Sequence, residues 1–282
     1  MLKEINTAID RIISDVGQDR LDKLITEYFR YYLQFGPGYS LKTGKGRFYL
    51  ADIIHRITRN EAAPFSLYAD KILDGFNIVA ENSEIVGANR AVLIANHPAD
   101  GPLRSIWPVL ALNKVLAERR DWRGNYENIW LQSAVPETQV YGITALQRQR
   151  VKLAKIIENS GCVLTFQAGA NNEVSFDKAR KHLENDGLLG FYPEGTPSRQ
   201  LVRAKYKSAR FLGKLTEWRV PLIPVGLWPE GDNLHICFGE PINNKNIAGL
   251  DFQQQADMLM VEVAKLLPKK RRGVYRKIAK EG

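Results

Sequence analysis

The amino-acid sequence predicts an α/β fold, a mostly parallel mixed sheet flanked by helices, with a small N-terminal helical unit ahead of it. Three observations carry this. Beyond residue 75, short apolar runs alternate with longer amphipathic ones, the texture of strands joined by crossover helices. The last two runs flank a polar break around Asn233, which predicts a closing antiparallel pair. The first 75 residues have no such runs and repeat apolar residues at helical spacing instead.

In order, Leu2, Ile5, Ala8, Ile9, Ile12 and Ile13, then Leu21, Leu24, Ile25, Tyr28 and Phe29, define two helices separated by Gly17. After the breaker FGPGYSLKTGKG, the segments FYLADIIHRI and APFSLYADKIL add two more amphipathic stretches. The chain therefore divides into a helical unit over residues 1–75 and an α/β domain with a basic C-terminal tail over residues 76–282. Within that domain FNIVA, AVLIA, NIWLQ, CVLTF, GLLGFY, LIPVGLW and LHICFG are the strands, and residues 102–119, 146–158, 175–186, 203–217 and 251–267 the helices. Ligands of such sheets bind beyond the carboxyl ends of the strands.

Composition narrows the function. Hydrophobic residues at 44% and aromatic residues at 10% belong to a globular protein with a sizeable core. Cys162 and Cys237 sit in apolar, strand-like runs, which suits buried reduced thiols and a reducing, cytoplasmic compartment. The amino terminus has charges every few residues, unlike a signal peptide, and no run reaches the ~18 apolar residues of a membrane span. The formal charge of +9 points to anionic partners. His55, His97, His182 and His235 are scattered, with no HxxxH or CxxC spacing, so no metal site is expected.

The chemistry-bearing stretches fall at strand ends. In AVLIANHPADGPL a strand gives way to a helix at His97, and GLLGFYPEGTPSR follows a later strand. Imidazole is the side chain suited to take a hydroxyl proton near neutral pH, and a carboxylate on its other ring nitrogen selects the tautomer and offsets the charge that forms. Pro98 and Gly101 allow a tight turn, and the expectation is that it brings Asp100 back onto His97. Asp100 also has the chemistry of a helix N-cap before Gly101 and Pro102, and the two roles coexist. Pro193 ends the second strand and Gly195 lets the backbone turn, presenting Glu194, Thr196 and Ser198, with Arg199 placed to bond a phosphate. Arg203, Lys205 and Lys207 extend that positive charge or form a solvated helix face.

Taken together these blocks resemble the lysophosphatidic acid (1-acyl-sn-glycerol-3-phosphate) acyltransferase family of the glycerolipid acyltransferases, over roughly residues 75–245. Asn96 and His97 match the family's Asn-His-x4-Asp block, and Gly161 to Gln167 loosely match its Gly-x-x-Phe-x-x-Arg segment. Phe191, Pro193, Glu194, Gly195, Thr196 and Ser198 fit Phe-Pro-Glu-Gly-Thr-Arg-Ser around Tyr192 and Pro197, while Val220, Pro221, Pro224 and Val225 fit its Val-Pro-x-x-Pro-Val strand. KYKSARFLGKL and FGEPI add to the likeness. Three departures stand out. The family's aspartate falls five residues after histidine, where this chain has Pro102 and the nearest carboxylate is Asp100; Gln167 stands where an arginine is usual; and Arg199 comes two places late, behind Pro197.

The resemblance implies an O-acyltransferase with His97 and Asp100 catalytic and Asn96, Glu194, Gly195, Thr196, Ser198 and Arg199 on the substrate side. The donor would be an acyl-CoA or acyl carrier protein thioester, the acceptor a phosphorylated lipid, with no bound cofactor. The tail LLPKKRRGVYRKIAK mixes Lys and Arg with Val274, Tyr275 and Ile278, which suits peripheral attachment to an anionic membrane surface. A plain disordered tail has the same composition, and nucleic acid is disfavoured because no recognisable module accompanies it. A hydrolase using the same histidine, and a non-catalytic lipid-binding protein, are the competing readings.

Overall fold

A computed structural model describes residues 61–63, 65–87, 90–100, 106–119, 128–133, 162–165, 173–242 and 249–280, with positions 49, 52, 53, 56, 245 and 247 besides. Among these residues the order is α1 (Phe65–Ile72), β1 (Asn77–Glu81), β2 (Ala91–Ala95), α2 (Ile106–Arg119), β3 (Asn128–Ser133), β4 (Cys162–Thr165), α3 (Glu173–Glu184), β5 (Leu188–Phe191), α4 (Tyr206–Glu217), β6 (Leu222–Glu230), β7 (Asn233–Phe238) and α5 (Phe252–Leu266). Three 3-10 turns follow, Lys269–Arg271, Gly273–Tyr275 and Ile278–Lys280. The helices expected before residue 48 and over 146–158, and His55, lie outside the described residues.

The sheet runs β1-β7-β6-β2-β5-β3-β4 and is parallel throughout except for the β6–β7 hairpin. All seven expected strands are present, and the antiparallel pair turns at Gly231, whose φ of 59° is the left-handed conformation glycine adopts freely. β2 is the central strand, paired with β5 and β6, and all five of its residues are buried. Alternation divides them: Ala91, Leu93 and Ala95 face the layer of α1 and α2, while Val92 and Ile94 face α3, α4 and α5. The first layer is anchored by Phe76 stacked on Trp107, with ring centroids 5.0 Å apart. Ile53 and Ala63, from the expected N-terminal unit, are buried in the same core.

Two boundaries differ from expectation for a physical reason. The helix expected from residue 203 begins at Tyr206, because the backbone ahead of it is bonded elsewhere. Val202 N–H donates to Glu194, Lys205 N–H to the Pro193 carbonyl, and Leu201 pairs through its N–H and carbonyl with Arg271 and Val274. At the other end α5 starts at a capping box, in which Asp251 accepts from Gln254 N–H at 2.8 Å and Gln254 returns a bond to Asp251 N–H at 3.0 Å.

The C-terminal segment is ordered, which corrects the disordered-tail alternative. Its turns fold back over α5 and the loop after β5, burying Tyr275 and Ala279. Tyr275 donates to Asp257 at 2.9 Å, and burial raises its phenol above the ordinary range. Arg272 donates to the carbonyls of Leu267 and Ala279. Gly273 has a φ of 47° and lies against the Leu201 carbonyl, where any Cβ would collide. Tyr275→Ala should therefore cost about 3 kcal/mol, the range for deleting a buried aromatic ring, read as a lower urea midpoint. An unchanged midpoint would mean that the segment does not brace the domain.

Candidate active site

β2 and β5 are neighbours, so the loops leaving their carboxyl ends meet. Asn96 comes first after β2, and its buried amide copies a strand residue: Nδ2 donates to the Leu227 carbonyl at 2.8 Å and Oδ1 accepts from Leu227 N–H at 2.7 Å. The β2–β6 ladder is thereby extended past its last pair, Ala95 with Val225. This makes Asn96 a splint behind the histidine.

His97 is fixed by its backbone. Its N–H donates to Glu194 Oε2 at 2.6 Å, and its carbonyl accepts from Ser198 N–H at 2.9 Å. Ala99 N–H then donates to the Ser198 carbonyl, also at 2.9 Å, so Pro98 and Ser198 form a short parallel bridge. The second oxygen of Glu194 accepts from Val202 N–H at 2.9 Å. The side chain of Glu194 is buried, and burial pushes its carboxyl up to about 7, against the two backbone donors that pull it down.

The His97 ring lies flat on Tyr192, with centroids 4.4 Å apart and planes 7° from parallel. Both ring nitrogens are buried and bond to none of the described residues. Burial pulls the imidazole down to about 4, so it is neutral across the physiological range. Among the described residues no group of three or more His, Cys, Asp or Glu side chains converges as metal ligands would.

The geometry does not bring Asp100 onto His97. Its carboxylate faces two guanidiniums, Arg271 Nη2 at 2.5 Å and Arg199 Nε at 3.4 Å. The first turn of the following helix lies outside the described residues, so capping by Asp100 is not visible. Gly195, Thr196 and Arg199 are exposed, and Ser198 is half-buried, beside the His97 loop. Gly195 has a φ of 63°, and a Cβ there would come within 3.5 Å of Lys205 Nζ, so the ammonium packs over this turn. Arg203 instead forms a two-pronged ion pair with Asp257.

Tyr192 and Arg271 are the residues that sequence reasoning missed. Tyr192 read as an insertion, although its place one residue beyond Phe191 puts its ring on the opposite face of the strand, toward His97. Arg271 read as one surface charge among many, and nothing in its local sequence announces a partner 171 positions away. The other described histidines are held structurally, His182 on the Leu188 carbonyl and His235 stacked on Trp228. Cys237 is a free buried thiol, pushed by burial and then by Glu81 up to about 11.

The neutral state of His97 has a thermodynamic signature. Its folded value of about 4 lies below the ordinary 6.5, so the unfolded chain binds the proton first as pH falls. The stability associated with the neutral ring is complete above pH 6.5 and declines below it. A His97→Gln variant lacks this loss, so relative to wild type it should gain about 1.5 kcal/mol between pH 6.5 and pH 5 in urea unfolding. A constant difference between the two proteins would show that the folded imidazole titrates normally.

No protein-family model matches the chain, and no curated protein matches it. A similar solved structure is that of the 1-acyl-sn-glycerophosphate (LPA) acyltransferase PlsC from Thermotoga maritima. Identity is 15%, the TM-score is 0.47, and the alignment covers 89% of this chain and 96% of that one. The likeness is too weak to carry residue roles or an activity from that protein to this one.

Proposed function

We propose that the chain is an O-acyltransferase. It would move a fatty acyl group from an acyl-CoA or acyl carrier protein thioester to a hydroxyl of a glycerol-phosphate or lysophospholipid acceptor. The observation that carries this is the placement of His97. A neutral imidazole sits at the carboxyl end of the central strand, its backbone pinned by Glu194, beside the largely exposed turn Gly195–Arg199 that carries the Arg199 guanidinium.

The chemistry needs little else. The acceptor oxygen attacks the thioester carbonyl carbon while a ring nitrogen of His97 takes the hydroxyl proton. The tetrahedral intermediate collapses to the new ester, and the leaving thiolate receives that proton from the imidazolium. Glu194 and Asn96 act behind the ring, by holding the His97 loop on β5 and β6. Arg199, with Lys205 over the Gly195 turn, supplies positive charge for an anionic acceptor.

An anionic membrane surface is the proposed setting. Val274 and Ile278 are 62% and 61% exposed, interleaved with Arg276 and Lys277, and Val202 and Tyr206 are exposed near the loop that follows the site. Apolar side chains among cations suit insertion at the headgroup level. No helix among the described residues is long and apolar enough to cross a membrane.

His97→Ala should lower transfer at least ~100-fold in a chain that remains folded, because it removes the base and leaves the pinned backbone in place. The assay incubates labelled acyl-CoA with the purified chain, with and without lysophosphatidic acid, and separates ester from free fatty acid. Free acid formed at the same rate without acceptor would assign the chain to the hydrolases, and full activity in the variant would remove His97 from the chemistry.

A further inference from the structure

Two features of the site are left unexplained by that function. The imidazole meant to act as base has no partner at either ring nitrogen among the described residues, while a carboxylate three residues away is held by cations. Those cations come from distant parts of the chain. Arg199 lies in the loop after β5, and Arg271 in the first turn of the C-terminal segment.

Arg271 is built into the wall of the site. Nη2 donates to the Pro229 carbonyl at 3.2 Å and Nη1 to the Arg199 carbonyl at 3.4 Å, besides the bond to Asp100. Its own carbonyl accepts from Leu201 N–H at 2.9 Å, and the neighbouring Lys270 carbonyl accepts from Gln200 at 3.0 Å. The side chain is only 12% exposed, and its Nε has no hydrogen-bond partner among the described residues. The guanidinium is therefore preorganised, with a donor unused. Arg199, at 76% exposure, faces the same carboxylate from the solvent side.

Two guanidiniums around one carboxylate form a site whose charge exceeds that of its occupant. A phosphate monoester carries up to two negative charges and three acceptor oxygens, and matches a pair of arginines better than a single carboxylate does. Resting on the acyltransferase reading, we propose that Arg199 and Arg271 form a phosphate-monoester site that Asp100 occupies in the unliganded chain. The arriving phosphate displaces Asp100, which then turns to accept the ring N–H of His97. No bond to carbon or oxygen changes in this step; one anion replaces another, and the freed carboxylate gains a neutral donor.

The exchange makes the base depend on the acceptor. Without phosphate the imidazole, its ring nitrogens buried and unpartnered among the described residues, is a weak base. With Asp100 alongside, the charged ring is stabilised and the tautomer fixed. A thioester that binds alone meets an unassembled site, which protects it from hydrolysis.

The test uses the full chain and two probes with the same chemistry: inorganic phosphate, and phosphatidylcholine vesicles containing lysophosphatidic acid. Asp100→Asn should tighten phosphate binding at least ~10-fold in calorimetry, because the competing anion is gone, yet lower kcat by orders of magnitude with a lower acceptor KM. Arg271→Ala should weaken binding by a similar factor, with partial recovery in Arg271→Lys. In wild type, either probe should move the His97 ring resonances to a higher titration midpoint, and the probe that does so identifies the source as soluble anion or lipid headgroup. Unchanged or weaker phosphate binding in Asp100→Asn, or His97 resonances indifferent to both probes, would overturn the exchange. If Asp100→Asn does not fold, the wild-type His97 titration decides by itself. Neither binding nor titration needs a thioester, so an absent transfer activity would sink the proposed function without touching this result, and the reverse also holds.

Discussion

The buried carboxylate of Glu194 is the constraint on which the site depends. It lies between two loops that would otherwise be independent, accepting from His97 N–H with one oxygen and Val202 N–H with the other. Burying a carboxyl just beyond the end of a strand is costly, and two short backbone bonds offset part of that cost. In return the loop after β2 and the loop after β5 keep one relative position. The Pro98–Ser198 bridge, the stacking of His97 on Tyr192 and the delayed start of α4 all follow from it. Because each oxygen is engaged by the backbone, Glu194 is also poorly placed to orient the imidazole, although it is the carboxylate nearest in the fold to His97 N.

The second support comes from the end of the chain. A parallel sheet leaves its carboxyl edge open, and here the segment after α5 crosses that edge and ties down the strand ends it passes. Arg271 reaches Asp100 after β2, the Arg199 carbonyl after β5 and the Pro229 carbonyl in β6, while Tyr275 anchors the segment on Asp257 of α5. The charges of this segment divide between two surfaces. Arg271 and Arg272 turn inward to carbonyls and a carboxylate, while Val274, Arg276 and Ile278 are left exposed. One stretch of basic sequence thus serves a structural end and leaves an amphiphilic face.

Much of the architecture was legible in the sequence because the central strands are buried on both faces. AVLIA and LLGF are continuous apolar runs with nothing polar to confuse the period, and their turns are marked by Asn96 and Pro193. His97 and the Gly195 turn were legible for the same reason, since residue types at strand ends are read locally. What escaped were bonds between residues far apart. The start of α4 depends on Glu194 capturing Val202, the partner of Asp100 is Arg271, and the order of the C-terminal segment comes from Tyr275 meeting Asp257. The composition of KKRRGVYRK describes a solvated tail equally well. Only the buried ring and the close approach of Gly273 to Leu201 give it a fixed place.

The arrangement of charge bears on how such a site could work. Around the imidazole the interior disfavours ions: burial lowers His97 to about 4 and raises Glu194 to about 7. The formal charges stand at the rim, on Asp100, Arg199, Lys205 and Arg271. An imidazole at about 4 is fully available as a neutral acceptor at pH 7, yet it takes up a proton reluctantly. Restoring its ordinary basicity requires about 3 kcal/mol of differential stabilisation of the charged ring, at ~1.4 kcal/mol per pKa unit. Backbone dipoles do not supply that here, since the ring nitrogens meet none among the described residues. A carboxylate brought to within hydrogen-bonding distance does supply it. Asp100 is the acidic side chain nearest to His97 in sequence, and among the described residues its carboxylate is held by a pair of cations. A ligand that competes for those cations is therefore what the proposed exchange requires to bring Asp100 and His97 together.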